Sequence, residues 1–184
     1  MQTLALNILD IVQNSIRAGA SRISVYVGES ESDDIMEILI SDNGSGIPEA
    51  IIEKVTDPFV TTRTTRKTGM GLPLLKYHAE ITGGSLSLDS IAGTGTVVKA
   101  VFTLSHVDRQ PLGDIAGVMT ILMSANPGID FLYSHKTDKG LYDFSSAETK
   151  DYLGIEDFSG SALLGDIKEM LNSNLNEIGA SDFI

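Results

Sequence analysis

The sequence predicts an α+β fold of two layers with a small C-terminal α/β extension, and three observations carry that expectation. A helical apolar period opens the chain, two β-rich runs follow within hairpin distance, and glycine-punctuated segments then alternate with further helix and strand patterns. With 184 residues the chain can hold one substantial core, or a domain of about 100 residues with an appendage.

Leu4, Ile8, Ile11, Val12 and Ile16 recur at helical spacing, and Gly19 suits a helix stop, which places Asn14 on a helix. Residues 23–27 and 35–40 read as hairpin strands separated by the polar stretch from Glu29 to Asp34. Asp42 directly follows the second strand, and Pro48-Glu49-Ala50 opens a short helix through Val55. Residues 56–68 are rich in hydroxyls, locally basic and weakly periodic, which predicts a mobile loop. Leu72, Leu74, Leu75, Ala79 and Ile81 support a helix behind Gly71 that ends at Gly83-Gly84. Paired strands over residues 85–88 and 96–104 flank the turn Ala92-Gly93-Thr94-Gly95. A helix over 112–125, a hairpin of 129–134 with 141–144, and a last helix over 163–178 complete the expectation.

Charge and composition restrict the function. Thirteen Lys+Arg against 25 Asp+Glu give a formal charge of −12, which repels polyanions and anionic membrane surfaces, so neither nucleic acid nor a membrane is expected as a partner. The absence of cysteine excludes a disulfide, a thiolate zinc site and a thiol switch. No apolar run of about 18 residues is present, and the N-terminus lacks a basic start, so a cytoplasmic location is expected.

Chemistry concentrates in short segments in a fixed order: Asn14, then Asp42-Asn43-Gly44-Ser45-Gly46-Ile47-Pro48, then Gly69-Met70-Gly71-Leu72, then Gly93-Thr94-Gly95-Thr96. Glycine lets a backbone approach a ligand and offer N–H groups to phosphate or ring atoms, so this series suggests a nucleotide pocket. Each piece alone is ordinary. Asp-Asn-Gly is commonly a turn, Gly69-x-Gly71 lacks the third glycine of a dinucleotide fingerprint, and no Gly-Lys-Ser/Thr ending marks a phosphate-binding loop of that class.

Residues 4–104 resemble the ATP-binding domain of the GHKL superfamily, which includes gyrase, the ninety-kilodalton heat-shock chaperone, histidine kinases and mismatch-repair ATPases. Asp10 to Arg17 resembles the asparagine box, and Asp42–Gly46, Gly69–Leu72 and Gly93–Thr96 resemble the three glycine boxes. Asp57-Pro58-Phe59 and the run Gly71 to Lys76 are most similar to the histidine-kinase branch, as a lone catalytic domain without its phosphoacceptor histidine module. The resemblance implies a Bergerat sandwich, a mixed and mostly antiparallel sheet with helices on one face. It divides the chain into an ATPase domain, residues 1–106, and a C-terminal α/β subdomain of unknown role, residues 107–184.

Several roles follow from the resemblance. ATP and Mg²⁺ are the implied cofactors. Asp42 would accept a hydrogen bond from the adenine amino group, Thr96 would reach adenine directly or through water, and Gly44, Gly46 and Ile47 would pass close to the purine. Asn14 would offer its oxygen to Mg²⁺, and Arg17 would point toward the phosphates. Arg63, Arg66, Lys67 and Thr68 lie on the implied ATP lid, with Gly69, Met70, Gly71 and Leu72 at its hinge and at the phosphate-facing start of the next helix. Asp10 stands where hydrolytic relatives carry a water-activating glutamate, one methylene longer, and is the candidate general base. The three histidines stand apart, so the expected phosphate acceptor or protein partner acts in trans, and a homodimer is compatible with the reading. The implied activity is a trans-acting protein kinase, as in bacterial anti-sigma serine kinases, or a regulatory ATPase in bacterial signalling. An ATP-driven conformational switch and a non-catalytic nucleotide-binding module are the alternatives.

Overall fold

The computed structural model describes residues 3–50, 52 and 71–181. Helix α1 (Leu4–Arg17) leads into strands β1 (Arg22–Ser30) and β2 (Ile35–Asp42). Helix α2 (Gly71–Ile81), strands β3 (Ser85–Ile91) and β4 (Gly95–Thr103), and helix α3 (Ile115–Ala125) follow. Strands β5 (Asp130–Lys136) and β6 (Leu141–Ser145), then helices α4 (Ser146–Leu153) and α5 (Ser161–Glu177), end the described chain. The helix expected after Pro48 is described only at residues 49, 50 and 52, and the loop expected over 56–68 lies outside the described residues.

The six strands form one mixed sheet in the order β3-β4-β2-β1-β5-β6. Every neighbouring pair is antiparallel except β1 with β5, which run parallel. This is the α+β sandwich anticipated from the sequence. Strand alternation sends Ile23, Val25 and Val27, Met36, Ile38 and Ile40, and Val98, Ala100 and Phe102 to one buried face. Leu4, Ile8, Ile11 and Val12 cover that face from α1, and Leu75 and Ala79 from α2, so the core lies between one helical layer and one face of the sheet.

Residues 107–184 continue this sheet. Strand β5 lies against β1 in register from Arg22↔Asp130 to Gly28↔Lys136, so the β1 edge is covered from within the chain. The first amides of α1, which no helical carbonyl can reach, are met from the same segment: Leu4 N–H donates to the Pro111 carbonyl (3.0 Å) and Ala5 N–H to the Leu112 carbonyl (2.8 Å). The helix expected from Leu112 therefore begins later. The carbonyls of residues 111 and 112 are used as acceptors for the α1 amides, and Asp114 caps α3 by accepting from Gly117 N–H at 2.8 Å.

Two further local outcomes differ from the expectation. Glu29, read as the start of a polar turn, belongs to β1 and is buried, because His135 reaches its carboxylate from β5 at 2.7 Å. Ser181 adds its N–H at 3.2 Å and its hydroxyl, and Tyr133 OH contacts the other imidazole nitrogen of His135 at 2.7 Å. Helix α4 was not anticipated, since of its residues only Ser146 is buried and an apolar stripe is missing. The signal that could have found it is a cap: Ser145 Oγ accepts from Glu148 N–H (3.2 Å), and Gly154 closes the helix in the left-handed region.

Candidate functional site

The register of the sheet brings together residues that are far apart in sequence. Asp42 at the end of β2 is the direct partner of Thr96 on β4, and Thr96 is the direct partner of Ser90 on β3. Side chains at paired positions share a face. This row of three polar groups lies on the helical side, at the end of the sheet where the apolar core stops. Helix α1 closes it from above: Ser15, buried on the helix turn that carries Asn14, donates its hydroxyl to Asp42 Oδ2 at 2.6 Å.

Asp42 is half-buried and its two oxygens are held differently. Oδ2 takes the Ser15 hydroxyl, and Oδ1 takes the Gly44 N–H at 2.8 Å. The carboxylate is thereby locked in orientation while keeping lone pairs for another donor. Ser15 was missed by the sequence reading, because a single serine after Asn14 has no spacing of its own. Ser15→Ala is expected to weaken any ligand held by Asp42 about fivefold, through loss of one hydrogen bond, with thermal unfolding showing the fold retained.

The first and third glycine segments interlock. Ser45 N–H donates to the Ala18 carbonyl (2.9 Å), Gly93 N–H to the Ser45 carbonyl (2.7 Å), and Ile47 N–H to Ser90 Oγ (2.8 Å). Asn43 accepts from the N–H groups of Ser21 and Arg22 at 3.0 and 2.9 Å, which ties the loop to the start of β1. Gly46, at φ +65°, has space for no side chain, since a Cβ would sit 2.1 Å from the Ile91 carbonyl oxygen. At Gly95, φ +144°, it would sit 2.0 Å from the Asp42 carbonyl oxygen. These two glycines therefore admit neighbouring protein backbone. Gly95→Ala is expected to lower stability by at least about 2 kcal/mol in denaturant unfolding, from the disfavoured φ and the collision together.

Around the open side, Asp10 and Asn14 are exposed one helical turn apart on α1. Arg17 reaches back along the helix and its guanidinium donates to Asn14 Oδ1. Gly71 opens α2 directly against this turn, where an added Cβ would lie 3.1 Å from the Asp10 Cβ, and Leu72 packs on the core. Arg63, Arg66, Lys67, Thr68, Gly69 and Met70 lie outside the described residues. Among the described residues no group of three or more His, Asp or Glu could hold a metal on its own. The oxygen donors Asn14 and Asp10 fit an ion that arrives with a ligand's phosphates, as Mg²⁺ commonly does. The described residues also contain no helix long and apolar enough to cross a membrane.

The histidines offer no exposed acceptor constellation. His135 is fully buried in β5, His78 is half-buried on α2 with Nε2 3.2 Å from Gln110 Nε2, and His106 Nδ1 accepts from Asp108 N–H at 3.2 Å. Burial holds the His78 imidazole below its ordinary pKa.

The sensor histidine kinase WalK of Bacillus subtilis is 33% identical over 108 residues, covering 55% of this chain and 17% of that protein. A probable C4-dicarboxylate sensor kinase of the same organism is 33% identical over 96 residues, covering 52% of this chain and 18% of that one. The chain thus spans about a sixth of the length of these curated relatives. A crystal structure of the N-terminal domain of a DNA repair protein shares the fold, with a TM-score of 0.54 at 19% identity over 79% of this chain and 52% of that chain. Residues 2–106 match the model of the histidine kinase-, DNA gyrase B- and HSP90-like ATPases, and the chain belongs to that family.

Proposed function

We propose that this protein binds ATP with Mg²⁺ in the slot between α1 and the Asp42–Thr96 end of the sheet, and uses it on a protein partner in bacterial signalling, as a trans-acting kinase or regulatory ATPase. The observation that carries the reading is the oriented Asp42 carboxylate, held by Ser15 and Gly44 and paired across the sheet with Thr96. A fixed acceptor at a half-buried strand end selects a ligand that brings a hydrogen, as the adenine amino group does.

The remaining roles follow the path of the ligand outward. Gly44, Gly46 and Ile47 border the purine. Asn14, whose oxygen now accepts from Arg17, would hold Mg²⁺, which would supply charge neutralisation at the phosphates, and Arg17 would add its guanidinium on the same side. The start of α2 at Gly71 and Leu72 would offer N–H groups to the phosphates, and Arg63, Arg66, Lys67, Thr68, Gly69 and Met70, outside the described residues, would complete the phosphate side. Asp10, exposed one turn from Asn14, orients or activates water. A phosphate acceptor on another protein is supported by the enclosure of His135 in the core and the contacts of His78 with Gln110 and of His106 with Asp108. The kinship with sensor kinases supports a signalling setting, a protein partner and the cytoplasmic side as the place of action.

Titration calorimetry with ATP and Mg²⁺, repeated with GTP, tests the pocket, and saturable binding of ATP alone is expected. Incubation with labelled ATP then separates the activities. Label on a partner identifies a kinase, free phosphate without labelled protein identifies a hydrolytic switch, and binding with neither identifies a nucleotide-binding module. Asp10→Asn is expected to lower phosphate release about 100-fold, the scale of general base catalysis. Unchanged turnover removes Asp10 from that role.

A further inference from the structure

We infer that Ser90 fixes the hydroxyl of Thr96 as a hydrogen acceptor, so that the base-facing row presents two acceptors side by side, and that Ser90 is thereby a specificity-determining residue for a 6-amino purine. The inference rests on the nucleotide reading above and deepens it.

Counting hydrogens carries the argument. Ser90 Oγ has three neighbours: Ile47 N at 2.8 Å, the Gly95 carbonyl oxygen at 2.9 Å and Thr96 Oγ1 at 2.9 Å. A serine hydroxyl owns one hydrogen and two lone pairs. Ile47 N–H can only donate and the Gly95 carbonyl can only accept, so the single Ser90 hydrogen goes to Gly95 and one lone pair takes Ile47. The remaining lone pair faces Thr96, and the contact is a hydrogen bond only if Thr96 donates. The Thr96 hydrogen is then committed, and its oxygen meets any ligand with lone pairs alone.

Asp42 shows the same polarity. Its oxygens already accept from Ser15 and Gly44 and have no hydrogen to give. Because Asp42 and Thr96 are direct partners across β2 and β4, the two acceptors stand beside one another. An exocyclic amino group carries two hydrogens and satisfies both, directly or through a water that brings its own hydrogen. A 6-oxo group carries none and sets lone pairs against lone pairs, and the N1–H beside it can serve one of the two half-buried acceptors but not both. Selectivity at the 6-position is thus set partly by a serine that need not touch the base: Ser90 acts through Thr96 as a positioning residue.

The test measures ATP and inosine triphosphate binding by calorimetry, since the two differ on the purine ring only in exchanging the 6-amino donor and bare N1 for a 6-oxo acceptor and N1–H. Thr96→Val keeps the β-branched shape and removes the acceptor. It is expected to weaken ATP about fivefold, with little change for inosine triphosphate, so the ATP preference falls about fivefold. Ser90→Ala releases the Thr96 hydrogen, which can then turn to a 6-oxo group, and is expected to strengthen inosine triphosphate about fivefold and lower the preference likewise. If Ser90→Ala does not fold, Thr96→Val still decides, because a donating Thr96 predicts a preference that rises. An unchanged or rising preference in Thr96→Val, with ATP still bound by the wild type, overturns this inference and leaves the nucleotide reading intact. Failure of the wild type to bind ATP overturns that reading itself.

Discussion

Replacing Glu29 by alanine is expected to cost the fold about 3–5 kcal/mol in denaturant unfolding, the scale for removing one partner of a buried ion pair. Its carboxylate is the meeting point of three segments, taking His135 from β5 at 2.7 Å and Ser181 from beyond α5. Alanine leaves the His135 imidazole fully buried with no carboxylate, next to a buried Tyr133. Burial pushes the Glu29 carboxyl up, but the hydrogen bonds from His135 and Ser181 and the His135 charge outweigh it, so its pKa lies below the ordinary 4.5. The sign follows directly. A depressed folded-state value means that Glu29 contributes its full stability above pH 4.5 and loses it as pH falls through the lowered value. Glu29→Gln keeps an acceptor but cannot titrate, so its unfolding free energy should show a shallower fall between pH 5 and acid than the wild type. Identical pH slopes would show that the carboxylate is not the acid-sensitive group. For Tyr133, burial and then the Glu29 charge push the phenol well above its ordinary value, so it stays protonated at neutral pH.

Asp42→Ala is expected to weaken ATP about 100-fold, which corresponds to losing one charge-assisted hydrogen bond in a half-buried slot. The same change strands the buried Ser15 hydroxyl and the Gly44 N–H, whose shared acceptor disappears. A stability loss of about 1–3 kcal/mol should accompany it, so binding must be read at a temperature where unfolding curves show the variant folded. Asp42→Asn separates the two effects. The amide retains one acceptor for Gly44 and loses the charge, so stability should recover more than affinity does. Tight ATP binding by both variants would contradict the assignment of Asp42 to the base.

Elements with a strong apolar period were legible from the chain, and the reason is visible in α1 and in strands β1, β2 and β4. Their buried residues fall on one helical stripe or one strand face, and a core on a single side writes that period into the sequence. Helix α4 wrote none, since it buries only its first residue and depends on its cap. The site was legible as a list of residues, because its glycines occur in order. Its wiring was not. Ser15 matters through a hydrogen bond to a strand end 27 residues on, and Ser90 through its pairing with Thr96 and the Ile47 N–H 43 residues back, and nothing in their immediate neighbours marks them. The glycines had a second reason as well: Gly46 and Gly95 make room for the carbonyls of Ile91 and Asp42, a demand of chain against chain that composition cannot distinguish from a ligand's.

The parallel seam between β1 and β5 has a consequence for how the chain matures. Arg22 waits for Asp130, and the first amides of α1 wait for Pro111 and Leu112. During synthesis β1 is therefore made well before the strand that finishes it, and until residue 136 has left the ribosome its outer rim remains open to pairing with a neighbouring nascent chain. Such long sequence separation also slows closure of the final sheet.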